Sequence, residues 1–298
     1  MRWGIDLGGT KIEGAVISSV DPLEVVVRER IPTEADRGYE HIIGQITKMI
    51  DLLSAKTGER PTSIGIGTPG AIDPGTGLMK NANTTCLIGK PMNKDLEQHL
   101  GLEVRMANDA NCFAIAETLL GGVKERGLNV ATAFGVILGT GVGGGVVIGD
   151  HVIGGKHGIG GEWGHNFLDE SGGECYCGRT GCVETNISGP ALERYYRRIT
   201  GEQKALRQIV EDARKGESAS ILTMDRFYHL FGKAIANVIN ILDPDVIIIG
   251  GGLSNIPELY TRGPEEALPH VFNDRIETPF IPPTLGDSAG VFGAALLK

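Results

Sequence analysis

Asp6-Leu7-Gly8-Gly9-Thr10-Lys11 brings a carboxylate, two glycines, a hydroxyl and an ammonium together in six residues. It follows the short apolar run Trp3–Ile5 and precedes the alternating Ile12, Gly14 and Val16. The stretch therefore reads as the tight turn of a β-hairpin, with glycines supplying positive φ. Such a turn aims backbone N–H groups at one point, and with Asp6, Thr10 and Lys11 beside it that point suits a phosphate and its magnesium. A plain hairpin turn would ask for the same glycines. A second cluster, Cys175, Cys177 and Cys182 with His165 upstream, offers three thiolates and an imidazole, enough for a closed and hence structural zinc site. Buried or redox-active thiols are the other reading. Cys86 and Cys112 stand outside the cluster, where ordinary packing accounts for them.

Two further positions carry chemistry. Asp109 follows an apolar stretch and Asn108 at the start of a helical pattern. Its carboxylate could cap the helix, or act as the general base that takes a proton from an attacking sugar hydroxyl; spacing alone does not separate the two. Gly250-Gly251-Gly252 lies between the buried strand Asp245–Ile249 and a helix, where bare backbone can approach a planar ligand such as adenosine, or simply allow tight packing.

The chain also repeats itself. Residues 3–17 align without gaps on 134–148, with glycine meeting glycine at Gly4/Gly135, Gly8/Gly139 and Gly14/Gly145. A repeated strand, glycine turn and strand predicts two similar domains whose phosphate turns face a cleft, the arrangement a phosphotransferase needs.

At 298 residues, 41% hydrophobic and 22% charged, the composition suits two modest cores. A formal charge of −9 with no Lys/Arg run argues against nucleic acid as a partner. No apolar stretch approaches a membrane span, and the first residues run directly into a strand without a signal peptide, so a cytoplasmic protein with no membrane partner is expected.

Along the chain, residues 24–31 read as a strand closed by Pro32, and Tyr39–Lys56 as a helix stopped by Gly58. Ser63–Gly67 is a glycine-diluted strand opening into Thr68-Pro69-Gly70-Ala71, and Lys80–Thr85 a polar loop. Leu102–Ala107 is a strand, and the Asn108-Asp109-Ala110-Asn111 segment starts a helix over Cys112–Leu120 that Gly121 and Gly122 end. Gly139-x-Gly141-x-x-Gly144 matches a dinucleotide fingerprint, but a strand and the Gly149-Asp150 turn follow it, which speaks against a nicotinamide dehydrogenase. Gly154–Gly164 is a glycine-rich loop ending at Glu162-Trp163-Gly164-His165. A long helix over Ala219–Leu242 is expected to turn Leu230, Ile235, Val238, Ile239 and Ile241 to a core, and a last helix spans Ala289–Leu297.

Together, Asp6–Lys11, Gly67–Gly70, Asn108–Asn111, Leu138–Gly145, Glu162–His165, Cys175–Glu184 and Gly250–Gly252 resemble the ROK family of sugar kinases and repressors over almost the whole chain. Details in Lys80–Thr84, Gly161–Asn166 and Cys175–Gly178 resemble its bacterial fructokinase branch. The resemblance implies an α/β, actin-like (ribonuclease-H-like) two-domain ATPase fold with a central cleft. The domains are placed at 1–118 plus 288–298, and at 119–287 with the zinc loop. It further implies ATP-dependent phosphorylation of a hexose, fructose to fructose 6-phosphate first, with glucokinase or N-acetylhexosamine kinase as the alternative, and a homodimer. By that likeness Asp109 is the base, and Gly70, Asn83, Asn108, Glu162, His165 and Glu184 hold the sugar. Thr10, Lys11, Thr140 and Gly141 would cradle the ATP phosphates with Asp6, Gly8 and Gly9, and Gly250–Gly252 the adenosine. His165 would serve zinc with one ring nitrogen and sugar with the other. Cys86 departs from the bulkier residue of relatives, which bears on the outer shape of the sugar pocket. A repressor of this family would carry a helix-turn-helix before the phosphate turn, where this chain begins with a strand.

Overall fold

Period-two and period-3.6 stretches become strands and helices close to their expected bounds in the computed structural model, which describes all 298 residues. The chain opens with the antiparallel meander β1 (Arg2–Leu7), β2 (Lys11–Val20) and β3 (Leu23–Pro32), whose first register pairs Leu7 with Ile12 across the glycine turn. Helix α1 (Tyr39–Thr57) buries Ile42, Ile46, Met49 and Leu53 and ends on Gly58 at φ 74°. Strand β4 (Ser63–Thr68) is followed by the two-residue strands β5 (Ala71–Ile72) and β6 (Met79–Lys80). These two pair with each other, so Lys80 ends a strand where a polar loop is expected to begin. Then come α2 (Met92–Leu100), β7 (Glu103–Asn108), α3 (Asp109–Leu119) and the single turn α4 (Gly122–Glu125). The sheet order is β3-β2-β1-β4-β7, with β4 parallel to both of its neighbours.

The second half repeats the plan. Hairpin β8 (Thr132–Leu138) and β9 (Val142–Ile148) continues into β10 (His151–Val152), and a long segment leads to α5 (Val183–Ile187). After it come α6 (Gly189–Thr200), α7 (Leu206–Arg214), α8 (Ser218–Leu242), β11 (Val246–Gly250), α9 (Leu259–Ala267), β12 (Phe280–Ile281) and α10 (Ala289–Leu296). The second sheet runs β10-β9-β8-β11-β12, with β11 parallel to β8 and β12.

The chain divides into two units, residues 1–130, 145–161 and 284–298, and residues 131–144 and 162–283. The divisions fall at different points from 118/119 and 287/288, because 145–161 and 284–298 fold with the first unit. In that unit α10 lies directly on the sheet. A Cβ at Gly4 would stand 2.2 Å from the Val291 carbonyl oxygen, so this strand position must stay bare. In the second unit α8 buries Phe227, Phe231, Ile235 and Ile239, and Phe231 meets Phe280 of β12 edge-on at 6.3 Å. Ile241, expected in this core, is 85% exposed. It lies two residues past Ile239, about 200° around the helix from the buried stripe. No helix is long and apolar enough to cross a membrane.

Candidate active site

The three parallel strands of the first unit, β1, β4 and the edge strand β7, end together. Parallel register sets Asp6 beside Gly67 and Gly67 beside Ala107, and one residue on, Thr68 beside Asn108. The carboxyl ends of parallel strands are where open α/β sheets bind ligands, and Asp6, Asn108 and Asp109 all stand there.

The expected positive φ in the first glycine turn is not found: neither Gly8 nor Gly9 is left-handed. Close approach is what requires glycine. Gly8 N–H donates to the Lys11 carbonyl at 3.0 Å, and a Cβ at Gly8 would lie 2.9 Å from that same oxygen. Thr33, fully buried, clamps the turn from behind: its hydroxyl donates to the Gly8 carbonyl at 2.6 Å and its N–H to the Thr10 carbonyl at 3.0 Å. Nothing in the sequence around Thr33 marks this role, since the contact crosses 25 residues. Gly70 and Asn83 are neighbours, with Asn83 N–H donating to the Pro69 carbonyl at 3.2 Å and a Cβ at Gly70 falling 2.7 Å from the Lys80 carbonyl oxygen.

At the start of α3 the capping residue is Asn108, whose side chain accepts from Asn111 N–H at 2.8 Å. Asp109 occupies the first helical position, and the capping role open to it in the sequence belongs to its neighbour. Asp109 accepts from Ala110 N–H at 2.8 Å. Burial pushes its carboxyl above the ordinary range. Burial, then Asp109, then Glu13 likewise push Asp6 up to about 6. Glu13 is 1% exposed and already held by Arg30 at 2.7 Å and the Ser288 hydroxyl at 3.0 Å. Two mutually repelling buried carboxylates are a donor set that a divalent cation relieves, so Asp6 fits a magnesium ligand. Cys112 is fully buried against them; burial first, then Asp6 and Asp109, hold its thiol neutral, as packing alone requires. Asn111 has its side-chain oxygen buried without a partner and lines, with Asn108 and Ala71, a cavity of about 560 Å³.

In the second unit His165, Cys175, Cys177 and Cys182 come together with their ligand atoms all within 4.8 Å of one another. His165 Nδ1 is 3.6 Å from Cys175 Sγ, and Cys177 Sγ is 3.6 Å from Cys182 Sγ. Tetrahedral zinc with Zn–S of about 2.3 Å separates its ligands by about 3.7 Å, so the cluster fits that ion. The other His165 nitrogen, Nε2, meets the Tyr176 hydroxyl at 3.0 Å, a partner the motif reading omits. Glu162 ends the glycine loop one residue before the short turn Trp163–His165, and the Trp163 indole N–H anchors that turn on the Gly143 carbonyl at 2.9 Å.

Glu184, on α5, turns back onto the second glycine turn. Its carboxylate accepts from Val142 N–H at 2.9 Å, and a Cβ at Gly141 would meet the same oxygen at 2.6 Å. Gly139 and Thr140 line a cavity of about 680 Å³ with Gly252 and Leu253 and with α7, which contributes Leu206 and Val210 beside the charged Arg207, Glu211 and Arg214. No motif marks the α7 residues. The glycine triplet divides its roles. Gly250 ends β11 opposite Ile137, and Gly251, at φ 82°, would push a Cβ to 2.3 Å from the Leu138 carbonyl oxygen, so tight packing explains it. Gly252 alone faces open space in the cavity. Strand β9 follows Gly139–Gly141, so the dinucleotide fingerprint has no helix to open.

Comparison with known proteins agrees with this layout. An N-acetyl-D-glucosamine kinase of Pasteurella multocida (strain Pm70) is 37% identical over 309 residues, covering 100% of this chain and 99% of that protein. The crystal structure of a ROK hexokinase from Thermus thermophilus superposes with a TM-score of 0.87 at 30% identity, covering 99% of this chain and 96% of that one. A ROK family glucokinase from Streptomyces griseus, solved with glucose and AMPPNP, superposes at 0.76 with 28% identity, covering 99% and 97%. The two-domain actin-like fold, the paired glycine turns and a match to the ROK family over residues 2–298 agree, and the chain belongs to that family.

Proposed function

We propose that this ATP-dependent sugar kinase phosphorylates N-acetyl-D-glucosamine on its 6-hydroxyl. The observation that carries the choice of sugar is the full-length similarity to an N-acetyl-D-glucosamine kinase, stronger than the short motif details that pointed to fructose. Asp109 is the base: released from capping by Asn108 and raised by burial, its carboxylate accepts the hydroxyl proton as the sugar oxygen bonds to the γ-phosphorus and the bond to ADP breaks. The Thr10 and Lys11 side chains, at the first glycine turn, would orient phosphate oxygens, and Thr140 and Gly141 would do the same from the second. Asp6 would hold magnesium, which when bound neutralises charge on those oxygens. The cavity beside Gly252 suits the adenosine, with Leu206, Val210 and Ile256 as apolar surface for a base. Asn108, Glu162, His165 and Glu184, with Gly70 and Asn83, would pair sugar hydroxyls and the acetamido group. Zinc at His165 and the three cysteines holds that loop in shape.

Initial rates with ATP on N-acetylglucosamine, glucose, mannose and fructose test the assignment. The acetamido sugar should give the highest kcat/KM, because a site built to pair a polar group is left with unsatisfied donors when that group is missing. A clear preference for fructose would reverse the choice of sugar.

A further inference from the structure

A cavity of about 380 Å³ in the second unit, between α6, α8 and the segment before the cysteines, has no part in this chemistry. In a chain of net charge −9 it is lined by three arginines, Arg194, Arg198 and Arg226. Arg194 and Arg198 stand one turn apart on α6, where like charges repel and destabilise the helix. Their hydrogen bonds go to neutral groups. Arg194 reaches the Thr185 carbonyl at 3.2 Å, Arg198 the Ser171 carbonyl at 3.3 Å, and Arg226 the Ser171 hydroxyl at 2.7 Å and the Asn186 side-chain oxygen at 2.9 Å. The guanidinium groups of Arg198 and Arg226 both lie against the Tyr195 ring, at 5.1 and 4.7 Å from its centre, so one ring restrains both cations. None of the three forms a contact ion pair, though Asp169 pulls on Arg226 from beyond contact. Glu174 lines the wall without an ion pair, and Asp169 is occupied by the Ser171 N–H at 2.9 Å. Burial, and then Arg198, press the Arg226 guanidinium below its ordinary value, against the opposing pull of Tyr195 and Asp169.

Guanidinium groups without an ion pair, lining one cavity from two helices, offer the donors that tetrahedral oxyanions satisfy bidentately. We propose that this pocket binds a phosphate-bearing small anion, its phosphoryl oxygens taken by Arg194, Arg198 and Arg226. The pocket abuts α5, since Arg194 and Arg226 hold Thr185 and Asn186, the two residues after Glu184. Asn186 in turn donates to the Cys182 carbonyl at 3.0 Å. An anion that draws these arginines inward therefore acts on the helix carrying Glu184 and on the last cysteine of the metal cluster.

The test is calorimetric titration of the full-length, zinc-loaded protein with inorganic phosphate and, separately, glucose 6-phosphate, comparing wild type with R194Q/R198Q. Arg194→Gln alone, an exposed side chain, serves if the double variant does not fold. The wild type should show a site that the variants bind at least about tenfold more weakly, since two charge-assisted pairs are lost. In phosphate-free buffer the variants should keep the wild-type kcat and a thermal midpoint equal or higher, because they remove a like-charge pair. Tighter binding of glucose 6-phosphate identifies a sugar phosphate as the ligand; equal binding of both identifies free phosphate. Isotherms that match between wild type and variants, or no binding by either probe, would overturn the assignment.

Discussion

The imidazole of His165 is held at both nitrogens, with Nδ1 3.6 Å from Cys175 Sγ and Nε2 3.0 Å from the Tyr176 hydroxyl, the two rings edge-on at 5.2 Å. Tyr176 thus occupies the nitrogen that a sugar hydroxyl would use. It is 71% exposed, so little packing holds it there. Tyr176→Phe removes the competing hydroxyl while keeping the ring contact. A neutral hydrogen bond is worth about 1 kcal/mol, so the sugar KM should fall about fivefold with kcat unchanged. Steady-state kinetics on the variant check this, and a raised KM would mean that the phenol orients His165 instead.

Asn108 caps α3 and Asp109, the proposed base, is its neighbour, so two substitutions should separate the two roles. Asn108→Ala removes the bond to Asn111 N–H and should cost about 1 kcal/mol of stability. Asp109→Ala leaves that cap in place and should lower kcat by about 10²- to 10⁴-fold with a small change in thermal midpoint. Near-normal turnover with a lowered midpoint for Asp109→Ala would remove Asp109 as the base.

Asp6 should make the ligand-free protein less stable as pH rises. Its carboxyl moves from 3.8 to about 6 on folding, so the folded chain binds the extra proton between those values. The stabilising contribution of the neutral form is complete below pH 3.8 and is lost as pH passes about 6. Asp6→Asn, neutral at every pH, should therefore raise stability at pH 7 by about 1–3 kcal/mol relative to wild type, with the gain vanishing toward pH 4. Activity should be lost with the metal ligand. Denaturant melts of both proteins across this range give the comparison, and a gain independent of pH would point to packing.

The cysteine cluster should hold one zinc per chain. Cys177 is the exposed member, so Cys177→Ser disturbs packing least while removing a ligand. Metal content and activity should fall together, and the midpoint should drop as the loop from His165 to Cys182 loses its crosslink. Full zinc content in the variant would place the ion elsewhere.

Local chemistry made much of this legible in the sequence. The Gly58 stop depends on residues within a few positions of it, and the strand–turn–strand repeat and the His165 and cysteine spacing are patterns of residue type that the sequence displays directly. Tertiary structure decided what depends on distant neighbours. Gly8 is bare because of the Lys11 carbonyl and not because of its φ, Thr33 clamps a turn 25 residues away, and Gly251 answers to the backbone of Leu138. Ile241 leaves the core because the buried face of α8 is set by what packs on it. Asp109 shows both halves. Its residue type and place before a helix were readable as base or cap, but only the fold gave the cap to Asn108 and buried Asp109 close enough to Asp6 to raise that carboxyl as well.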